Sequence, residues 1–200
     1  MLSKRTLLFF ILIPILFSCS GDTNQKVIIV FEKPPTLKQE QELVLNLSSQ
    51  TSKTNLSKLL SNQNWIKSYL IKKNAFQPLE VFIETKDPKY IWQDRFYLDA
   101  DLTKFLYFGE YPELLHLYIP IELVDRWSQV EDQMQAVMEA YNLKIFSVFY
   151  SEAAGWTFYT ANKLQINLGS DLSFDVFQKL SLTLKYIFEK NLTPSIIDLR

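Results

Sequence analysis

Hydrophobic and polar residues alternate with a strand-like or helix-like period over most of the chain after residue 26. A first strand is predicted in KVIIVFEK (26–33), because this run is short, apolar and rich in β-branched residues. Two short helices are predicted next. TLKQEQELVLNLSSQ has Thr36 as its N-cap, and TNLSKLLSNQ is capped by Thr54 or Asn55. Each helix carries leucines on one face, which predicts that both pack against a shared core.

A hairpin is predicted after the two helices, with its turn around residues 74–78. In the second arm, Leu79, Val81 and Ile83 occupy alternate positions, as in a strand with one buried face. The order strand, helix, helix, strand, strand ends near Pro88. This order predicts a small α+β module.

The pattern after Trp92 predicts a second, larger unit of strands and turns with two helices. RFYLDADLTKFLYF is typical of a hairpin that turns at residues 99–102. IELVDRWSQVEDQMQAVMEAYN has the clearest helical period in the chain, with apolar residues on one face and glutamates and glutamines on the other. Successive antiparallel strands with inserted helices predict one meandering sheet with helices on one face, and the fold class is therefore α+β. The remaining predicted elements are the strands LKIFSVFYS, GWTFYTAN and KLQINLG, the helix SFDVFQKLSLTLKYIFEKN and the strand PSIIDLR.

The first twenty residues differ from the rest of the chain. Lys4 and Arg5 precede fifteen residues without a charge (6–20), a pattern that predicts export across a bacterial-type inner membrane. As a helix, this run spans about 22 Å, less than the ~30 Å of a hydrocarbon core. Two interpretations remain open: an uncleaved signal anchor, or a lipoprotein signal in which LFSC resembles a lipobox and Cys19 is acylated. The residues expected to hold the anchor in the membrane are Leu7, Phe10, Ile13 and Leu16.

Composition excludes several functional classes. Hydrophobic residues make up 48% and charged residues 22% of the 200 residues, so the chain is neither disordered nor wholly embedded in a membrane. A net charge of −1 argues against binding to nucleic acid, which needs a concentrated basic surface. One cysteine permits no internal disulfide, and four glycines leave little material for a phosphate-binding loop.

The residues that could carry chemistry are few. His116 is the single histidine and stands among apolar neighbours, so a structural or surface role is predicted rather than metal binding. Asp99 and Asp101 could share one face of a strand as an acid pair, although a turn is the plainer use of Asp-Ala-Asp. No G-x-S-x-G or H-E-x-x-H motif occurs, and no enzyme activity, cofactor or metal is expected. Core packing rather than a ligand groove is predicted for Trp65, Trp92, Trp127 and Trp156.

Several motifs follow one another in a specific order. Residues 143–169 combine a strand, a small-residue turn, a tryptophan, a second turn and a strand that ends in Leu-Gly, and IIDLR follows the next helix. NWIKSYLIKK and PLEVFIETKDPKYIW precede them, and then YLDADLTKF and YPEL. This order resembles the bacterial cell-division family FtsQ, called DivIB in Gram-positive bacteria. The residues at the matching places of the strongest stretch are Trp156, Asn162, Leu164, Leu168 and Gly169.

The resemblance implies a domain organisation and shows departures from the family pattern. Ala153 and Ala154 stand where the family often has basic residues. The family also continues beyond Asp-Leu-Arg with a further strand, so the resemblance implies that this chain ends before the family's last strand. The implied parts are a short cytoplasmic tail (1–5), a transmembrane anchor or lipoprotein signal (6–20), a linker (21–26), a POTRA-like module (27–90) and an FtsQ-type β domain (91–200).

The resemblance also implies a function without catalysis. Proteins of this family are single-pass scaffolds of the inner membrane whose periplasmic part binds FtsB- and FtsL-like proteins and other divisome components at the division septum. Carried onto this chain, Arg200 would provide a cation for a partner carboxylate, while Ile197 and Leu199 would support the last strand. The alternative is an exported lipoprotein with a POTRA-like module that binds peptides or partner proteins of the envelope.

Overall fold

The structure is a computed structural model, and it describes residues 27–33, 37–47, 53–73, 77–106 and 111–200. These residues form four α-helices and two β-sheets, which confirms the mixed α+β class. No helix within these ranges combines the length and the hydrophobicity that a membrane-spanning helix needs. The positions predicted for the anchor and for lipidation lie outside the described residues, namely Leu7, Phe10, Ile13, Leu16 and Cys19.

The first unit has the predicted order of strand, helix, helix, strand, strand. Its sheet has the order β1-β3-β2, with β1 parallel and β2 antiparallel to the central strand β3. The second helix begins at Lys53, so Thr54 and Asn55 lie inside it and the predicted cap is wrong. Thr36 lies outside the described residues. The elements are β1 (Val27–Phe31), α1 (Leu37–Leu47), α2 (Lys53–Ser61), β2 (Ile66–Lys72) and β3 (Leu79–Thr85).

The core of the first unit extends into the second sheet. Helix leucines pack on the buried side of β3, where alternate residues face inward as predicted. Ile91, Tyr97 and Phe105, which belong to the second sheet, are buried in the same cluster. The first unit therefore covers part of one face of the second sheet. The buried residues contributed by the first unit include Leu43, Leu56, Leu60, Trp65, Leu79, Val81 and Ile83.

The second unit is an eight-stranded sheet with the order β11-β10-β9-β8-β7-β4-β5-β6. A 3₁₀ turn (Ile121–Leu123) precedes its first helix. Its two helices occupy the positions that the hydrophobic period predicted. The elements are β4 (Tyr90–Trp92), β5 (Phe96–Leu98), β6 (Lys104–Leu106), β7 (Leu115–Tyr118), α3 (Val124–Glu139), β8 (Ile145–Ser151), β9 (Gly155–Thr160), β10 (Gln165–Gly169), α4 (Phe174–Glu189) and β11 (Ile196–Asp198).

The prediction of an antiparallel sheet is wrong for part of this unit. Three of its seven strand pairs are parallel: β4 with β7, β7 with β8, and β10 with β11. The chain passes through α3 between β7 and β8 and through α4 between β10 and β11. A helix that crosses over returns the chain in its original direction, so these strands pair in parallel.

Helices α3 and α4 pack against one face of the second sheet. The buried side chains of this core include Trp127 on α3, Trp156 and Phe158 on β9, and Leu180 and Leu184 on α4. Core packing is confirmed for three of the four tryptophans. Trp92 is half-buried, and its indole N–H donates to the carbonyl of Ile119 at 2.8 Å.

One glutamate of α3 contradicts the prediction that glutamates fill the exposed helix face. Glu131 is only 8% exposed, because the hydroxyl of Tyr90 donates to its carboxylate and the Lys89 ammonium lies 3.2 Å from it. Burial, and then the hydrogen bond to Glu131, raise the pKa of Tyr90 well above its usual value. This contact joins α3 to the first strand of the sheet.

The turn predicted at residues 99–102 is confirmed. The Asp99 carboxylate accepts hydrogen bonds from the backbone N–H groups of Asp101 at 3.0 Å and Thr103 at 2.7 Å. The turn requires a φ of +59° at Leu102, a left-handed value that residues other than glycine seldom adopt. Asp99 therefore stabilises a strained connection between β5 and β6.

Candidate functional site

Strand β11 forms one edge of the eight-stranded sheet, with β10 as its sheet neighbour among the described residues. The carbonyl of Ser195 accepts from the Gln165 N–H at 3.0 Å, and the Leu199 N–H donates to the carbonyl of Asn167 at 2.9 Å. Successive peptide groups of a strand point in opposite directions. The N–H and C=O groups of Ile196 and Asp198 are therefore directed toward the side of β11 on which the described part of the chain places no strand.

Two of the three predicted partner-binding residues face the interior. Ile197 is 5% exposed and belongs to the core formed with α3 and α4. Leu199 is partly buried and packs against the same core. Their side chains hold the edge strand in place, so the groups that β11 offers to a partner are mainly backbone groups.

Arg200 is the third predicted residue, and its side chain is about half exposed, at 47%. Its Nε and Nη2 atoms lie 2.9 Å and 2.6 Å from the two carboxylate oxygens of Asp198. The side-chain hydrogen bond from Arg200, followed by that from its backbone N–H, lowers the pKa of Asp198 to about 2. A guanidinium has five N–H donors, so Arg200 retains donors for a second carboxylate.

The corner of the sheet at Arg200 is held by close backbone packing. A Cβ placed on Gly155 would lie 2.1 Å from the carbonyl carbon and oxygen of Gly169, so these two glycines are in direct backbone contact. A Cβ on Gly169 would lie 3.4 Å from Cγ of Arg200, whose aliphatic stem covers that glycine. Ala153 and Ala154 belong to the turn just before Gly155. This turn is thus at the same corner of the sheet as Arg200.

Helix α4 supports the same strand from the side of the core. The Lys179 ammonium donates to the carbonyl of Leu199 at 3.0 Å. This bond ties the end of β11 to the exposed flank of α4.

The opposite face of the sheet carries aromatic side chains that the sequence did not identify as a group. Tyr118 stacks on Phe149 with ring centroids 4.4 Å apart, and Phe149 contacts Tyr159 edge-on at 5.3 Å. His116 lies on the same face, with Nδ1 2.9 Å from a carboxylate oxygen of Asp94. The alternation of aromatic residues in strands β7 to β9 is the signal that could have located this row.

The groups at the β11 edge suit the binding of an extended peptide. They are backbone donors and acceptors, an arginine–carboxylate pair and an adjacent lysine. An edge strand with such groups can accept a further strand through main-chain hydrogen bonds. Comparison of the sequence with protein-family models and with curated proteins finds no match.

Proposed function

We propose that this chain is a non-catalytic scaffold protein of the FtsQ/DivIB type that binds FtsB- and FtsL-like proteins during septum formation. In this proposal residues 6–20 anchor the chain in the bacterial inner membrane, and the residues after them lie in the periplasm at the division septum. The observation that carries the proposal is the backbone edge of β11 that no other described strand covers, with Arg200 next to it. Binding of a partner strand would satisfy these groups.

The architecture supports the proposal at a coarser level. The first unit has the strand, helix, helix, strand, strand order that the resemblance implies for a POTRA module. The second unit ends with a helix followed by strand β11, whose last residue, Asp198, begins the Asp-Leu-Arg motif, and that strand is at the sheet edge. One of the several motifs whose order carries the resemblance therefore begins at this edge.

The edge by itself can supply only part of the affinity. Ile196 and Asp198 direct four backbone groups toward the open side, and a net contribution of about 1 kcal/mol per hydrogen bond gives about 4 kcal/mol. Micromolar binding needs about 8 kcal/mol. Side-chain contacts, including one to Arg200, must provide the remainder and offset the cost of ordering the partner.

A substitution at Ile196 tests the proposal through the backbone. Because the Ile196 N–H points away from β10, Ile196→Pro removes an edge donor without removing a bond of the β10–β11 ladder. The matched control is Ile196→Val, which keeps the N–H and the β-branched side chain. Arg200→Glu tests the predicted cation separately.

The measurement is a binding titration of the full-length chain in lipid nanodiscs against the periplasmic segment of the same organism's FtsB-like protein. We expect micromolar or tighter binding that Ile196→Pro and Arg200→Glu each weaken at least about tenfold, a loss of about 1.4 kcal/mol. Ile196→Val should bind within about twofold of the unchanged chain. Equal binding by the unchanged chain and by Ile196→Pro, with matching melting temperatures, would contradict strand addition at β11.

A further inference from the structure

A groove of about 630 Å³ opens at the end of the second unit where helix α4 finishes. One wall is the last turn of α4, another is the turn between β9 and β10, and the third is the segment that leads from α4 into β11. Its volume is within the range of pockets that bind small molecules or anchoring side chains. The lining residues with apolar side chains are Leu143, Leu164, Leu184, Ile187, Phe188, Leu192 and Pro194.

The groove exposes large apolar side chains that the fold does not cover. Phe188 is 48% exposed and Leu192 is 49% exposed, although both line the groove beside buried leucines. The ring of Phe188 is held by Tyr141, at a centroid distance of 5.1 Å. An apolar group placed in the groove would remove these side chains from water without requiring the fold to move.

The polar residues of the rim match a peptide. Asn162, Asn191, Thr193 and Ser195 each carry donors and acceptors, as the amide groups of a peptide backbone require. Among the residues that the structure describes, Lys163 is the one charged residue of the lining, and no carboxylate lines the groove. The backbone of Lys163 is fixed, because its N–H donates to the carbonyl of Thr160 at 2.9 Å. The charge of the rim therefore favours an acidic residue close to the bound apolar side chain.

The groove is continuous with the open edge of β11. The wall formed by Thr193, Pro194 and Ser195 leads directly into the first residue of that strand, Ile196. A strand advances about 3.3 Å per residue, so a peptide paired along β11 comes level with this wall within one or two residues. The edge and the groove can thus be occupied by one continuous segment.

We propose that the groove anchors a large apolar side chain of the same partner segment that adds to β11, with a neighbouring acidic residue paired to Lys163. This inference rests on the proposed function and adds the chemistry of the partner. The segment has the main-chain bonds of a strand, a leucine, isoleucine or phenylalanine beyond the end of the paired stretch, and an acidic residue next to it. The apolar side chain in the groove supplies binding free energy that the four backbone groups of Ile196 and Asp198 do not provide.

Two groove variants and one control test the anchor in the titration described above. Leu192→Glu places a charge on the apolar wall, and Lys163→Glu reverses the charge of the rim. The control Lys185→Glu makes the same change of charge on α4, at an exposed residue outside the groove lining. We expect each groove variant to weaken binding about tenfold and the control to stay within about twofold.

A double-mutant cycle identifies the side chain that occupies the groove. Each large apolar residue of the FtsB-like segment is replaced by alanine in turn and titrated against the unchanged chain and against Leu192→Glu. We expect one alanine substitution whose effect is lost in the Leu192→Glu background, since contacting residues are energetically coupled. A photoreactive benzoyl-phenylalanine at Leu192 should crosslink to that segment, whereas the same group at Leu182, on the outer face of α4, should not.

The outcomes separate the anchor from the proposed function. If Ile196→Pro weakens binding while both groove variants bind like the unchanged chain, the proposal of an apolar side chain in the groove is wrong. The proposal of strand addition at β11 is then still supported. If Ile196→Pro has no effect, or if the unchanged chain does not bind, the proposed function and the anchor are both contradicted. Loss of binding in both groove variants, with melting temperatures unchanged, supports both.

Discussion

Gly155 is the position at which a single added methyl group should most destabilise the corner of the sheet at Arg200. Its φ is +72°, and a Cβ at this position would lie 2.1 Å from the carbonyl carbon and oxygen of Gly169 and 2.6 Å from the backbone nitrogen of Ser170. Gly169 also has a positive φ, +83°, but the nearest atom to a Cβ there would be Cγ of Arg200, at 3.4 Å, which is ordinary van der Waals contact. Gly155→Ala and Gly169→Ala therefore form a matched pair with similar backbone strain and different packing.

The expected free energies of unfolding differ by the cost of the clash. A left-handed backbone costs an alanine about 1 kcal/mol relative to glycine, and this is the main loss in Gly169→Ala. Gly155→Ala adds the cost of forcing β9 and β10 apart, about 1 to 3 kcal/mol for overpacking in a closely packed region. The total for Gly155→Ala is about 2 to 4 kcal/mol.

Thermal unfolding of the two variants measures this difference. At about 3 °C per kcal/mol for a chain of this size, Gly155→Ala should lower the Tm by about 6 to 12 °C and Gly169→Ala by about 3 °C. Because the contact positions the corner that holds Arg200, Gly155→Ala should also weaken partner binding. Equal Tm values for the two variants would refute the direct contact between the backbones of β9 and β10.

Three further predictions concern other polar contacts. Tyr90→Phe removes the hydroxyl that donates to the buried Glu131, and it should lower the free energy of unfolding by about 1 to 3 kcal/mol in chemical denaturation. Asp99→Ala removes the acceptor for two turn N–H groups and should cost about 1 kcal/mol by the same assay. Asp198 has a lowered folded-state pKa of about 2, so its ion pair with Arg200 is fully present above the usual carboxyl pKa and is lost as the pH falls through about 2. An NMR titration of the Asp198 carboxyl should show that midpoint, and Arg200→Gln should move it upward.

The local elements of this fold could be predicted from the sequence because each depends on neighbouring residues. Alternating Leu79, Val81 and Ile83 identified a strand with one buried face, and the structure places all three in the core. The short-range hydrogen bonds of Asp99 made its turn predictable as well. Whether two strands pair in parallel or antiparallel could not be predicted in the same way. Alternation identifies a strand, but it does not show which strand lies beside it or in which direction that strand runs. The parallel pairs therefore required the structure.

Contacts between distant residues explain the other differences. Glu131 is buried because Tyr90, far away in the sequence, provides a hydroxyl, and a helical pattern alone assigns a glutamate to the solvent. Ile197 and Leu199 alternate with charged residues, which indicates one inward face, but their packing in the core with α4 depends on residues distant in the sequence. The aromatic face of β7 to β9 and the groove beside β11 arise from elements that meet only in the folded chain.

Amide hydrogen exchange at the edge strand tests strand addition most directly. In the full-length chain without partner, the N–H groups of Ile197 and Leu199, which point toward β10, should be protected, whereas those of Ile196 and Asp198 should exchange quickly. Addition of the FtsB-like segment should protect Ile196 and Asp198 and leave the amides of β6, at the opposite edge, unchanged. Binding that leaves the exchange of Ile196 and Asp198 unaltered would contradict the account.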